Sequence, residues 1–259
     1  MNLEERRREI LLALEQSGAV RVSELSRVLG CSEVTIRNDI RNLHNEGMLR
    51  KVHGGAVSIR PESQERAPSL SENQPLLLHE EEKRRIAAYA YEQILPLSTI
   101  LIDDSTTCHY IATEILRHPD RPLSVVTNSL STALLLHGAG HVELYMVGGS
   151  VGGRNPGTFG EFAVSFISGL RVDAAFIGVH SINFGVGFAS VAAPQMAVKK
   201  AIFVAADRVY VLADSSKFER SYLFAIGPLA DAYQIVTDSG VKPEYIERAR
   251  GEHLPLVIV

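Results

Sequence analysis

Ser32-Glu33-Val34-Thr35-Ile36-Arg37-Asn38-Asp39-Ile40-Arg41-Asn42-Leu43, followed by Gly47-Met48-Leu49-Arg50-Lys51-Val52-His53-Gly54-Gly55-Ala56-Val57-Ser58, decides how the first part of this chain folds. Ile36, Ile40 and Leu43 recur at helical spacing and form one apolar stripe. Thr35, Arg37, Asn38 and Arg41 fall on other faces of the same helix. Ser32 stands where a hydroxyl accepts from the first-turn N–H groups, so the spacing predicts a helix from Glu33 to about Asn45, ended by Gly47. The residues after it read as strand, glycine turn, strand, which is a wing.

Upstream, Ser23 is placed to cap a second helix with Leu25, Val28 and Leu29 on its inner face, and Gly30-Cys31 makes a tight turn. An earlier helix carries Leu3, Ile10, Leu11 and Leu14 on one stripe and ends at Ser17-Gly18. Two helices joined by a tight turn, the second presenting polar residues, is helix-turn-helix geometry. Residues 1–58 are therefore expected to form a winged helix-turn-helix domain, mainly α with a small β wing. A major groove admits one helix, and Arg and Asn can each bond a base edge bidentately. The candidate DNA contacts are Ser32 with the helix N-terminus, Thr35, Arg37, Asn38 and Arg41 along the helix, and Arg50, Lys51 and His53 in the wing. The competing reading is a protein-binding module with a solvated polar face.

Residues 59–78 contain Pro61, Pro68 and Pro75 among Ser and Glu and read as a linker. From 79 to 259 short apolar runs alternate with helical stretches, the texture of an α/β domain with an open, mostly parallel sheet. The expected strands are Thr99–Ile102, Leu123–Val126, Val142–Val147, Ala174–Ile177, Val209–Ala213, Gln234–Val236 and Pro255–Val259. Such sheets bind ligands beyond the carboxyl ends of their strands, where strand order reverses. The loops there carry Asp103-Asp104-Ser105-Thr106-Thr107, Thr127-Asn128-Ser129, Gly148-Gly149, Gly178-Val179-His180-Ser181 and Asp214-Ser215-Ser216-Lys217. Hydroxyls and helix N-termini suit an anion, Lys217 adds a charge-assisted contact, and Asp103 accepts from sugar hydroxyls. Taken singly, Ser and Thr in such loops are ordinary helix caps and Gly148-Gly149 an ordinary turn. The argument for a ligand is that all of them fall at one end of one sheet. No G-x-G-x-x-G stands here, which argues against a dinucleotide cofactor.

The whole chain has 259 residues, 46% of them hydrophobic, and a net charge of −4. Its charge is uneven: the first sixty residues hold ten Lys/Arg against eight Asp/Glu, whereas the remainder is acidic. Cys31 and Cys108 are the only cysteines and have no metal-ligand spacing, so neither a disulfide framework nor a metal site is expected. No secretory or membrane-spanning apolar run is present, and the expected location is cytoplasmic, with no membrane partner.

Residues 6–57 resemble the DNA-binding region of the DeoR family of bacterial regulators. The resemblance is carried by Val22-Ser23-Glu24-Leu25, Val34-Thr35-Ile36-Arg37-Asn38-Asp39-Ile40, Gly47-Met48-Leu49-Arg50 and Val52-His53-Gly54-Gly55-Ala56. Asn38 departs from it, since the family usually has a second Arg there. Residues 83–238 resemble the effector domain of the same family. The matching pieces are Lys83 with Ile86-Ala87, Asp103 with Thr106-Thr107, Thr127-Asn128-Ser129, Gly148-Gly149, Gly160, Asp173 with Phe176-Ile177-Gly178, Val198-Lys199-Lys200, Ala213 to Phe218 and Thr237-Asp238.

That resemblance implies a fold similar to ribose-5-phosphate isomerase and a phosphorylated sugar as effector. It places the effector on Asp103, Ser105, Thr106, Thr107, Thr127, Asn128, Ser129, Gly148, Gly149 and Lys217, with Lys199 nearby. It also implies a repressor of a carbohydrate-metabolism operon, acting on operator DNA as a homodimer or homotetramer, without cofactor and without catalysis. The alternative is an isomerase-like enzyme carrying a DNA-binding domain, for which Asp103, Asp104 and Asp173 are the acid–base candidates. Two further departures bear on this. Ser105 stands where the family usually has Gly, and Gln195 stands where it often has Glu, and an amide is no general base.

Overall fold

The computed structural model describes residues 6–7, 9–11, 13, 19–45, 49–52, 54–57, 76, 78–153 and 155–259. The chain divides into two compact units, Met1–Glu65 and Arg66–Val259. Of the expected linker at 59–78, only Leu76 and Leu78 are among the described residues.

In the first unit, residues 6–7, 9–11 and 13 are helical. Strand β1 (Ala19–Arg21) leads directly into α1 (Val22–Leu29), then α2 (Glu33–Asn45), β2 (Arg50–Val52) and β3 (Gly55–Val57). The three strands form an antiparallel sheet in the order β1-β3-β2. Gly30, with φ +63°, ends α1 in the left-handed conformation and returns its N–H to Ser26 O. A Cβ at Gly55 would fall 2.0 Å from the carbonyl oxygen of Val20, so only glycine lets the wing lie on β1. Ile10, Val20, Val22, Leu25, Ile36, Ile40, Leu43, Leu49 and Ala56 form one core.

Two expectations for α1 need correction. The helix begins at Val22 with Arg21 as its N-cap, so the exposed Ser23 lies inside the first turn and caps nothing. Val28 is 74% exposed, because the inward stripe of so short a helix is taken by Val22, Leu25 and Leu29. Leu3 and Leu14 lie outside the described residues.

In the second unit, α3 (Glu80–Glu92) precedes β4 (Thr99–Ile102), α4 (Thr106–Arg117), β5 (Leu123–Thr127), α5 (Leu130–Leu136) and β6 (Val142–Met146). A hairpin of β7 (Ser150–Gly152) and β8 (Gly157–Phe159) follows, then α6 (Glu161–Ser168) and β9 (Ala174–Gly178). Strands β10 (Ser181–Asn183) and β11 (Gly187–Ser190) precede α7 (Ala193–Ala205) and β12 (Val209–Leu212). The chain finishes with β13 (Phe224–Gly227), β14 (Gln234–Thr237), α8 (Pro243–Gly251) and β15 (Leu256–Ile258).

All seven expected strands are present and form one parallel sheet in the order β15-β14-β12-β9-β4-β5-β6. Both faces are covered, as a parallel sheet requires. Ile100, Ile102, Phe176 and Tyr210 pack with α3 and α4, whereas Leu101, Ile177 and Val211 pack with α6 and α7. From β4 the chain moves through β5 to β6, then returns to the other side of β4 at β9 and continues outward. The order therefore reverses between β4 and β9, which is where a sheet of this kind has its ligand crevice, beyond the strand ends. The β7–β8 hairpin and the antiparallel sheet β10-β11-β13 were not foreseen. Their strands are only three or four residues long, too short for an alternating pattern to show, and the pairing of β11 with β13 joins segments distant in sequence.

Candidate functional site

The first unit offers a helix with two unlike faces. Ser32 Oγ accepts from Thr35 N at 3.2 Å and lies 2.8 Å from Thr35 Oγ1, the capping read from the sequence. Ile36, Ile40 and Leu43 are buried, while Arg37, Asn38 and Arg41 stand exposed on the opposite side. Arg37 reaches back one turn to Glu33 Oε2 at 2.7 Å. Both partners are about half exposed, so water weakens this ion pair and the guanidinium is free to exchange it for another acceptor. Lys51 is exposed on the wing, whereas His53 and the side chain of Arg50 lie outside what the structure describes.

One orienting residue escaped the sequence reading. Asp39 is buried on the inner face of α2 and receives Arg6 Nε at 2.5 Å. Its helical spacing from Ile36 and Leu43 was visible, but its partner lies 33 residues away. This pair ties α2 to the N-terminal helical residues, and the hydrogen bond to Asp39 holds the Arg6 guanidinium above its ordinary pKa.

The second unit gathers polar groups at the β4–β9 crevice. Asp103, at the end of β4, is fully buried and accepts from Ser105 N (2.9 Å), Gly178 N (3.0 Å) and the Lys199 ammonium. Lys199 comes from α7, 96 residues away, and is itself buried. Burial pulls the Lys199 pKa down, but Asp103 and then Asp104 outweigh it, so the ammonium is held above its ordinary value. Asp104 is raised, first by burial, with Lys199 opposing and Asp103 adding to the rise.

Ser105 caps α4 by accepting from Cys108 N at 3.2 Å. A Cβ on Gly178 would fall 2.4 Å from Ser105 Cβ, so the two strand ends meet closely and Gly178 is the residue that makes room for the serine. Thr106 and Thr107 occupy the first turn of α4, where backbone N–H groups have no intrahelical acceptor.

The other expected loops divide by task. Thr127 Oγ1 donates to Ile102 O at 2.7 Å and accepts from Ser129 N at 3.0 Å, which commits it to joining β4 and β5. Ser129 caps α5 through Thr132 N. Asn128 is buried, donates to Thr158 O (3.2 Å) and Asp104 Oδ1 (3.4 Å), and keeps a buried Oδ1 with no partner. Gly149, with φ +147°, faces the carbonyl of Phe159 so closely that a Cβ would lie 2.5 Å from it. Its glycine is thus required by the β7–β8 hairpin, while Gly148 opens onto solvent.

Lys217 stands 3.6 Å from Asp214 Oδ2. Nearby, burial pushes the Lys83 ammonium down to about 8, with Asp214 opposing and Lys217 adding to the fall. The structure thus brings Asp103, Ser105 and Lys199 into one cluster. Asp104 and Asn128 form a second beside it, and Lys217 lies with Asp214 at the end of β12. Asp173 is not part of this set, because it accepts from Thr99 N at the opposite end of the strands. Asn155 and Thr158, which the sequence did not single out, hold the hairpin over Asp104 and Asn128.

Together the two units define a helix-turn-helix module with an exposed polar helix, joined to an α/β domain whose buried charges converge at a topological switch point. The chain belongs to the DeoR family. The DeoR-like helix-turn-helix domain matches residues 6–62, and the DeoR C terminal sensor domain matches residues 78–239. A protein of Escherichia coli O157:H7 whose name describes it as a transcriptional repressor of the aga operon is 31% identical, covering 98% of this chain and 93% of its own. The glycerol-3-phosphate regulon repressor of Haemophilus influenzae is 32% identical, covering 93% of this chain and 91% of its own. A solved ribose 5-phosphate isomerase A from Methanocaldococcus jannaschii covers 54% of this chain and 55% of its own at 16% identity and TM-score 0.40, a likeness too distant to carry function. Among the described residues no helix is long and apolar enough to cross a membrane, and no group of three or more His, Cys, Asp or Glu is arranged to hold a metal ion.

Proposed function

We propose that this chain is a DNA-binding transcription repressor of carbohydrate-metabolism genes whose sensor domain binds a small phosphorylated sugar. The observation that carries the DNA reading is α2 itself: an apolar stripe is buried while Arg37, Asn38 and Arg41 are left exposed on the other side. Arg suits guanine and Asn suits adenine in the major groove. Ser32, Thr35, Arg50, Lys51 and His53 complete the DNA-contacting set. Each half-site takes one such helix, so the acting species is a homodimer or homotetramer on a palindromic operator.

The effector reading is supported by the cluster at the β4–β9 switch point and by the repressor names of the relatives. Asp103, Ser105, Thr106, Thr107, Asn128, Lys199 and Lys217 form the effector site in this reading. Thr127, Ser129, Gly148 and Gly149 shape its loops. Catalysis is not expected. Asp103 is committed to Lys199 and two backbone N–H groups, and Gln195 offers an amide that cannot take a proton.

The test is fluorescence anisotropy of the purified chain with labelled DNA from upstream of its own gene, across a series of salt concentrations. Specific binding is expected to weaken steeply with salt, because phosphate neutralisation releases counterions. A millimolar phosphosugar is expected to shift that affinity. Binding without salt dependence, or none at all, refutes the reading.

A further inference from the structure

The loop after β9 places an imidazole at the crevice. His180 is partly open to solvent and meets Tyr222 edge-on, with ring centroids 6.0 Å apart. Its Nδ1 lies 3.5 Å from Ser190 Oγ at the end of β11. Ser190 Oγ–H in turn donates to Gln195 Oε1 in the first turn of α7, at 2.9 Å. A hydroxyl has a single proton, and here it is committed to Gln195. Ser190 therefore meets His180 only as an acceptor, so Nδ1 carries the imidazole proton and Nε2 keeps its lone pair. Nothing among the described residues bonds Nε2.

The ring is also held neutral. Burial first, then Lys199 and Lys217, push its pKa down to about 4, with Asp103 opposing. A neutral acceptor thus stands within the fields of two lysines, at a crevice already walled by Asp103 and Ser105. An anion placed against Nε2 finds a lone pair and no donor. A hydroxyl placed there finds a partner.

We propose that His180 determines the specificity of the effector site by accepting, at Nε2, a hydrogen bond from a hydroxyl of the ligand, so that the site selects a polyhydroxy monophosphate over inorganic phosphate or a bisphosphate. Ser190 and Gln195 are positioning residues that hold the tautomer. The proposal rests on the reading of the strand-end crevice as the effector site. It explains why Gln195 is useful there without proton transfer, since its carbonyl fixes the direction of the Ser190 hydroxyl.

The experiment measures binding of inorganic phosphate, glycerol 3-phosphate, glucose 6-phosphate and fructose 1,6-bisphosphate to the full chain by isothermal titration, with the melting temperature as a check on folding. In the native chain at least one monophosphate is expected to bind more tightly than both inorganic phosphate and the bisphosphate. His180→Phe keeps an aromatic ring and removes the acceptor. It is expected to shrink that advantage about threefold to tenfold, the range of one hydrogen bond to a neutral group. Gln195→Leu frees the Ser190 proton for Nδ1 and is expected to move the ratio in the same direction. If His180→Phe melts early, His180→Ala reports the same ratio. An advantage that survives these variants, or a bisphosphate preferred by the native chain, overturns the proposal while leaving the crevice as an anion site. Absence of binding by all four ligands to the native chain removes both the proposal and the effector reading beneath it.

Discussion

The two units handle polar groups in opposite ways. In the helix-turn-helix unit the polar side chains of α2, the buried Asp39 apart, stand outside a small apolar core, and the pair Arg37 makes with Glu33 is weak and exchangeable. In the sensor unit the polar groups are inside. Asp103 and Lys199 are both buried, and Asp103 gathers bonds from its own loop, from β9 and from α7. The first arrangement suits a surface that trades water and internal partners for a long polyanion. The second suits a site whose charges are organised before a small ligand arrives, so that little reorganisation accompanies binding.

The largest expected effect breaks the buried side of this contrast. Asp103→Ala leaves the Lys199 ammonium buried without its partner, and such a loss costs about 3–5 kcal/mol. Urea denaturation of the variant is expected to show the sensor transition at lower denaturant with the slope unchanged. Pairing it with Lys199→Met is expected to recover much of the loss, because the uncompensated charge is then gone. A single variant as stable as the native chain means that the pair is solvated and the contrast false.

Next in size is the exposed side. Ile40→Ala deletes a fully buried side chain from the nine-residue core of the small unit, at a cost of about 2–5 kcal/mol. It is expected to abolish operator binding while the sensor unit keeps its melting temperature, and a fall in both transitions shows that the units are not independent. Arg37→Ala leaves folding intact and is expected to weaken specific operator binding by about 1–3 kcal/mol in anisotropy titrations. Full affinity in that variant removes Arg37 from base contact. Lys51→Ala is expected to lower affinity evenly across DNA sequences and to reduce the salt slope by about one.

A last expectation concerns pH. The folded chain takes a proton on His180 only near pH 4, whereas the unfolded chain takes it near the ordinary value of 6.5. Between those values the unfolded state binds more protons, so the stability held in His180 is complete above about pH 6.5 and is lost as pH falls toward 4. His180→Phe is expected to flatten that part of the native chain's stability profile, measured by denaturation between pH 4 and 7. Parallel profiles for the two proteins would mean that the imidazole titrates normally.

In the small unit the recognition helix and the wing were legible from the chain. The apolar stripe of α2, its Ser32 cap and the glycine turn of the wing are local patterns, and the structure has all three. The cap assigned to Ser23 failed because β1, itself unrecognised, runs into α1 without a break. In the large unit all seven sheet strands were visible as apolar runs: the five inner strands are buried on both faces, and the half-exposed edge strands β6 and β15 are still mostly apolar. The candidate site was only partly visible. Its loops could be named, with Asp104 and His180 in them, but the loop-holding contacts of Thr127 and Gly149 and the part played by Thr158 could not.

By itself, then, the sequence determined the recognition helix and its apolar face, the seven strands of the parallel sheet, and which residues stand at their ends. These follow from periodicity and caps, whose physics acts over a few residues. Only the tertiary structure decided that β9 returns beside β4, that Lys199 meets Asp103 across 96 residues, that Ser105 needs a glycine at 178, and that Ser190 stands between Gln195 and His180. Those outcomes depend on strand order and on which buried charges and hydroxyls find partners. Such pairings are settled by the packing of the whole domain, and no local pattern carries them.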